Sequence, residues 1–328
     1  MVTSNLLLAV TIKEKLLENW LNYIKLFTPV QSNFLLDLYK RYHCLDSANI
    51  VLFFAKKTHQ AILRKKDYDL NYDLSLENFW NNHNEVNIEN STIINIARNT
   101  NLPKETARRK ITELTKQRVF SKVKKNIVWL PNDEYKKTYD VIINEEIKQL
   151  AKLTKYVTDK NNLNFSSEEI TNEYKKKFSF YWFHYLDLQL KWMRLWKSQF
   201  NDLEVVMIFM QIASLLSSKI DREVSHSSLY SAPDFIVAGP KENNQNISIS
   251  ATSLSDITGI PRATCIRKLN QMVIRKLVTQ DEDTKRYHII PEALAKSLVS
   301  KNLTSKVTEL FSEFYFIVIK ALSIKTTH

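Results

Sequence analysis

Two stretches of the chain place apolar residues at the same helical spacing. In Lys104–Arg118 these are Ala107, Ile111 and Leu114, and in Arg262–Lys276 they are Cys265, Leu269 and Met272. At about 100° per residue, each set shares one face of a helix. Glu105, Arg109, Thr112 and Lys116 fall opposite in the first stretch, and Ala263, Arg267, Asn270 and Ile274 in the second. After each helix the period shortens to that of a strand. Val119–Ser121 and Ile127–Leu130 flank the basic tip Lys122-Val123-Lys124-Lys125-Asn126. Leu277–Gln280 and Arg286–Ile290 flank the tip Asp281-Glu282-Asp283-Thr284-Lys285. Two short β-prone runs around a polar tip predict a small hairpin. Each hairpin leads into proline, Pro131 or Pro291, where a further helix is predicted.

The same order extends outward from these stretches. Ala48–Leu63 and Glu204–Ile220 are apolar helical segments that precede the two motifs at similar distances. Upstream lie the aromatic, amphipathic segments Leu16–Tyr42 and Phe178–Phe200, and downstream the helical segments Val141–Val157 and Leu303–Leu322. Asp67–Asn90 and Val224–Gln245 read as long loops. The polar stretch Thr158–Asn164, with Ser166 as an N-cap for the next helix, marks the expected boundary. The prediction is a mainly α protein with small β wings and two units, 1–160 and 161–328, joined by long amphipathic helices. The first helix-turn-helix is expected at about 91–118 with its hairpin at about 119–130, and the second at about 250–276 with its hairpin at about 277–290.

The correspondence reaches single residues. Thr100–Ile111 (T-N-L-P-K-E-T-A-R-R-K-I) returns 158 positions later as Thr258–Leu269 (T-G-I-P-R-A-T-C-I-R-K-L), with five of twelve positions identical. Internal similarity of this kind predicts a duplication. Asn101 and Gly259 share one repeat position, and they are the residue types that most readily adopt a left-handed backbone. Such a residue followed by Pro103 or Pro261 predicts a tight turn between two helices.

Charge narrows the partner. The chain carries 47 Lys and Arg against 35 Asp and Glu, a net charge of +12. A chain this rich in Lys, Asn and Ile reaches a positive balance through composition alone, so position matters more than total. Residues 104–125 hold nine basic and two acidic residues, covering the predicted helix and hairpin. That is where phosphate contacts belong.

Other chemistry is poorly served. Two glycines, Gly239 and Gly259, are too few for a Walker loop or a dinucleotide fingerprint. The two cysteines, Cys44 and Cys265, and the seven dispersed histidines have no metal-ligand spacing. The Ser225–Ser228 cluster (S-H-S-S) and the acidic tip at 281–283 read as loop chemistry and a solvated hairpin end. No catalytic residue, metal site or cofactor is expected. Phe178–Trp196 is too interrupted by polar residues to cross a membrane, and Leu6–Val10 lacks the flanks of a signal peptide. These readings predict a cytoplasmic, nucleoid-associated protein.

Lys104–Ile111 (K-E-T-A-R-R-K-I) resembles the recognition helix of bacterial winged-helix regulators of the catabolite-activator type. The layout of helices and hairpin is similar to the multiple-antibiotic-resistance repressor type. By this resemblance Lys104, Glu105 and Arg109 read bases and Thr106 positions the helix on phosphate. Arg262, Thr264 and Arg267 take the corresponding places in the second copy, which has Ala263 in place of the glutamate. Arg108, Thr112 and Lys116 lie on or beside the first reading face, and Lys268 and Asn270 on the second. Lys122, Lys124, Lys125, Lys285 and Arg286 belong to the hairpins as expected backbone contacts. The implied function is a sequence-specific regulator that binds double-stranded DNA through two non-identical units. If both units face the same side of the duplex, the site is asymmetric with halves about one helical turn apart. Two alternatives share the architecture: a plasmid-type replication initiator and a winged-helix protein-interaction scaffold. The aromatic stretches Phe178–Trp196 and Leu16–Tyr42 serve core packing, an effector pocket or self-association, and spacing does not separate these. No effector is indicated.

Overall fold

The computed structural model describes residues 2–86, 91–123, 126–220, 248–290 and 302–325. They are mostly helical, with two small antiparallel sheets. In chain order come α1 (Val2–Glu18), α2 (Trp20–Tyr42), α3 (Leu45–Tyr68), α4 (Phe79–Glu85), α5 (Ile93–Thr100) and α6 (Lys104–Lys116). The strands β1 (Phe120–Val123) and β2 (Asn126–Trp129) follow, then α7 (Asp133–Lys160), α8 (Ser167–Lys176), α9 (Phe178–Phe200) and α10 (Leu203–Ile220). The chain continues through α11 (Ala251–Thr258), α12 (Arg262–Ile274), β3 (Val278–Gln280), β4 (Tyr287–Ile289) and α13 (Leu303–Lys325). No helix among the described residues is long and apolar enough to cross a membrane.

The chain forms two compact units, and they are not its two halves. One comprises Tyr42–Leu195 with Glu313–His328, and the other Met1–Arg41 with Trp196–Ser312. The expected boundary near 160 is therefore not where packing divides the molecule. Residues 161–166 form the turn between α7 and α8, in which Asn162 takes a left-handed φ of 58° and Leu163 N–H reaches back to the Thr158 carbonyl at 2.9 Å. The turn lets α7 and α8 pack against each other within a single unit. The aromatic segments are exchanged relative to expectation. Residues 20–41 belong with α11 and α12, and residues 178–195 with α5 and α6.

In the unit built on α3, the core forms where α3, α5, α6 and the β1–β2 hairpin meet. Ile50, Phe54, Ile96, Ala107, Ile111, Leu114, Phe120 and Trp129 are all buried there. Phe54 lies against Phe120 with ring centroids 4.7 Å apart. The stretch 67–90, expected as a loop, carries α4, which drives Phe79 into the core. Asp73 opens this stretch by accepting from Ser75 N–H at 2.8 Å, and Ser179 N–H ties it to the start of α9 through the Leu74 carbonyl at 3.0 Å. Aromatic contacts supply the reason for the order. Phe79 packs edge-on to Phe178 at 5.4 Å, and Trp80 meets Trp129 at 5.9 Å. The predicted N-cap Ser166 forms a full capping box with Glu169.

The unit built on α10 has a helix pair and hairpin in the same chain order, built from different residues. Val205, Phe209, Leu254, Ile260, Cys265, Leu269, Met272, Val278 and Tyr287 fill its core. A second cluster joins α2 to the start of α13, where Phe27 meets Phe311 at 4.6 Å and Tyr23 meets it at 5.1 Å. The second loop, 224–245, and the helix expected after Pro291 lie outside the described residues, as does the cluster at 225–228.

His59 is a liability inside the first of these cores. It is fully buried, stacked on Phe79 at 4.7 Å and edge-on to Phe178 at 5.1 Å. Neither ring nitrogen has a hydrogen-bond partner among the described residues. Burial, with a smaller contribution from His83, pushes its pKa down to about 3. The unfolded chain therefore takes up a proton near pH 6.5 that the folded unit refuses. Stability is fully present above that pH and falls as the pH drops toward 3, by about 1.4 kcal/mol per pH unit for this one proton. Urea unfolding at pH 7.0 and 5.5 should show this loss in the wild type. His59→Leu should flatten the dependence by one proton, and an unchanged pH slope in that variant would contradict the assignment.

Candidate nucleic-acid interface

Both helix pairs are built by the same local chemistry. Thr92 caps α5 by accepting from Asn95 N–H, and Ser250 caps α11 by accepting from Ser253 N–H. At the far ends, Thr100 Oγ1 donates to the Ile96 carbonyl at 2.7 Å and Thr258 Oγ1 to the Leu254 carbonyl at 2.6 Å. The chain then turns through left-handed residues, Asn101 at φ 53° and Gly259 at φ 72°. Leu102 and Ile260 plug the turn from inside, and Pro103 and Pro261 stand at the starts of α6 and α12. Identical residues Thr100 and Thr258 thus have identical work.

The helices end two residues before the apolar pattern suggested. Arg118 and Lys276 take left-handed φ values of 57° and 58°. Val119 N–H then closes onto the Leu114 carbonyl and Leu277 N–H onto the Met272 carbonyl, both at 3.0 Å. This closure throws the chain into the hairpins, where Phe120 pairs with Trp129 and Val278 with Ile289. A single bridge from the segment preceding each helix pair joins each hairpin, Ser91 with Ile127 and Ile249 with Tyr287.

The turn fixes which side chains face water. On α6, Lys104, Glu105, Arg108, Arg109, Thr112 and Lys116 are exposed and Thr106 is half-buried, with Lys122 exposed on the adjoining strand. Arg108 pairs with Glu105 at 2.6 Å and Arg109 lies 4.0 Å from Glu113, both exposed pairs that solvent weakens. Lys104, Lys116 and Lys122 make no ion pair with another described residue. Lys124 and Lys125 lie outside the described residues. The described part of this surface is exposed, and its charged residues are mostly cationic.

The second copy differs. Arg262, Arg267, Asn270, Lys285 and Arg286 are exposed and Thr264 is half-buried. Lys268 is not on that face. It is 5 % exposed, and its ammonium sits 2.5 Å from Asp202 and 3.8 Å from Glu204 at the start of α10. Burial pushes the Asp202 carboxyl up, but hydrogen bonds at Glu204 and the Lys268 charge outweigh it and hold the group below its ordinary value. The expectation of a DNA contact at Lys268 is corrected accordingly. The spacing carried the signal: residues 265, 268, 269 and 272 are the i, i+3, i+4, i+7 set of the buried face. Its counterpart Lys110 is turned the same way, half-buried and 3.0 Å from Glu113. Identity at this repeat position follows from packing.

Other cations of the second copy are held by backbone and hydroxyl oxygens. Arg286 donates to Ser248 Oγ at 2.9 Å and to its carbonyl at 2.7 Å, and Arg262 to Thr252 Oγ1 at 3.1 Å. Arg275 donates to the Gln199 carbonyl at 2.7 Å, its guanidinium over the Phe200 ring. The acidic tip is ordered by Asp281, which accepts from Thr284 N–H at 2.6 Å and from Asp283 N–H at 3.2 Å. Sequence reading did not anticipate Ser248, Thr252 or Asp202, because each acts across the fold.

No group of three or more His, Cys, Asp or Glu among the described residues could hold a metal ion. No protein-family model, curated protein or solved structure matches the chain.

Lys268→Met should destabilise the chain by on the order of 2 kcal/mol, because it strands Asp202 and Glu204 without their cation. The neighbouring Arg267→Ala should stay within about 0.5 kcal/mol of wild type. Urea denaturation distinguishes them; equal stabilities for the two variants would contradict an inward role for Lys268.

Proposed function

We propose that the chain is a sequence-specific DNA-binding regulator with two winged helix-turn-helix units that arose by internal duplication. α6 and α12 act as its recognition helices. The observation that carries this reading is the exposed stripe Glu105, Arg109, Thr112 and Lys116 on α6, set beside Lys122 on the adjoining hairpin. A helix about 10 Å wide with its polar stripe outward fits a major groove. Arg is suited to bidentate contact with guanine, Glu to accept from cytosine, and exposed Lys to phosphate. The resemblance of Lys104–Ile111 to the catabolite-activator type supports the same assignment.

A second reading treats the α11–α12 pair as a protein-docking scaffold. It draws on the acidic tip at 281–283 and on Ile274, which is 80 % exposed at the end of α12. Absence of binding to any duplex at low salt would select it.

Arg109→Ala should weaken binding to a preferred duplex by about 1–3 kcal/mol and relax the preference at one base pair. Fluorescence anisotropy on the preferred duplex and its single-pair variants measures both. An unchanged sequence preference would remove Arg109 from base reading.

A further inference from the structure

The two proposed reading surfaces have the same framework and different chemistry. On α6 and its hairpin, Lys104, Lys116 and Lys122 are exposed and make no ion pair with another described residue. At the repeat positions of Arg108 and Lys116, α12 carries Ile266 and Ile274. Among the other cations near α12, Lys268 is buried in an internal ion pair, and Arg262, Arg275 and Arg286 are exposed but engaged by protein oxygens. Lys276 is exposed just past the end of the helix and Lys285 beside the acidic tip. The hairpin tip, basic in the first copy, is acidic at 281–283 in the second. Besides Arg262, α12 exposes the stripe Ala263, Arg267, Asn270 and Ile274, with Gln271 beside it.

Resting on the DNA-binding reading above, we infer that the two units divide the work of recognition. The α6 unit supplies the phosphate attraction. The α12 unit discriminates its half-site mainly through uncharged contacts, with Asn270 reading an adenine and a preference for A·T pairs. Asn pairs bidentately with adenine N6 and N7, and apolar side chains such as those of Ala263 and Ile274 suit the thymine methyl. Arg267 is left to contact guanine or to anchor the helix. An acidic tip is repelled by phosphate, so this hairpin adds nothing to non-specific affinity.

Salt dependence separates the two contributions, since each phosphate neutralised adds about 0.9 to the log–log slope. The full-length chain is titrated onto the duplex it selects from a random library, at several salt concentrations. The variants are a Lys104→Ala, Lys116→Ala, Lys122→Ala triple, an Arg262→Ala, Lys285→Ala, Arg286→Ala triple, and Asn270→Ala. The first triple should lower the slope by about 2–3 and the second by less than about 1. Asn270→Ala should leave the slope alone, weaken binding to the selected duplex about tenfold, and erase the preference at one A·T pair of one half-site. Equal slope losses in the two triples, or an intact motif with Asn270→Ala, would overturn the division of labour while leaving DNA recognition standing. A wild-type chain that selects no sequence would overturn the DNA-binding reading, and this inference with it. Urea midpoints confirm that the variants are folded, which is expected because every position changed is exposed.

Discussion

The left-handed residue between each pair of short helices is the constraint on which the rest depends. A left-handed residue at the end of a helix turns the chain sharply into the next one, and Asn101 and Gly259 supply it. Once the turn is made, the angle between the helices is set and the apolar stripe of the second helix must face the first core helix. Ala107, Ile111 and Leu114 are buried for that reason, and so are Cys265, Leu269 and Met272. The opposite stripe has nowhere to go but outward. In Gly259 the extra methyl of another residue would meet nothing within 4 Å, so the demand there is on the backbone conformation and not on space.

The same constraint explains why identity between the repeats does not mean shared contact with a partner. Thr100 and Thr258 close the preceding helix, Pro103 and Pro261 open the next, and Lys110 and Lys268 turn inward. These positions serve the turn and the packing beneath it. Of the five identities, Arg109 with Arg267 is the pair exposed on the outer stripe. Differences in charge cluster on the outer face and hairpin tip, as at Glu105 and Ala263, whereas buried differences such as Ile111 and Leu269 stay apolar.

Much of this fold was legible in the sequence because the signals were local. Helical period, proline placement and the left-handed residue gave α3, α5, α6, α10, α11 and α12 within a few residues, along with both hairpins. The outward stripes followed from the same spacing. The features that escaped depend on contacts between distant segments. The exchange of the aromatic helices between units, and the burial of α4 within a stretch that reads as a loop, rest on partners such as Phe178 for Phe79. Lys268 reads as outward by its charge and inward by its spacing, and its carboxylate partners lie more than sixty residues away. His59, buried without a hydrogen-bond partner among the described residues, carried no sequence signal of its own.

The proposal that α6 and α12 read sequence in a duplex requires that the chain prefer some duplexes over others. Selection from a random duplex library at near-physiological salt, with the full-length chain, addresses it most directly. Enrichment of a two-part motif whose halves differ is the expected result. Failure to enrich any sequence, with binding that disappears as salt rises, would contradict the proposal.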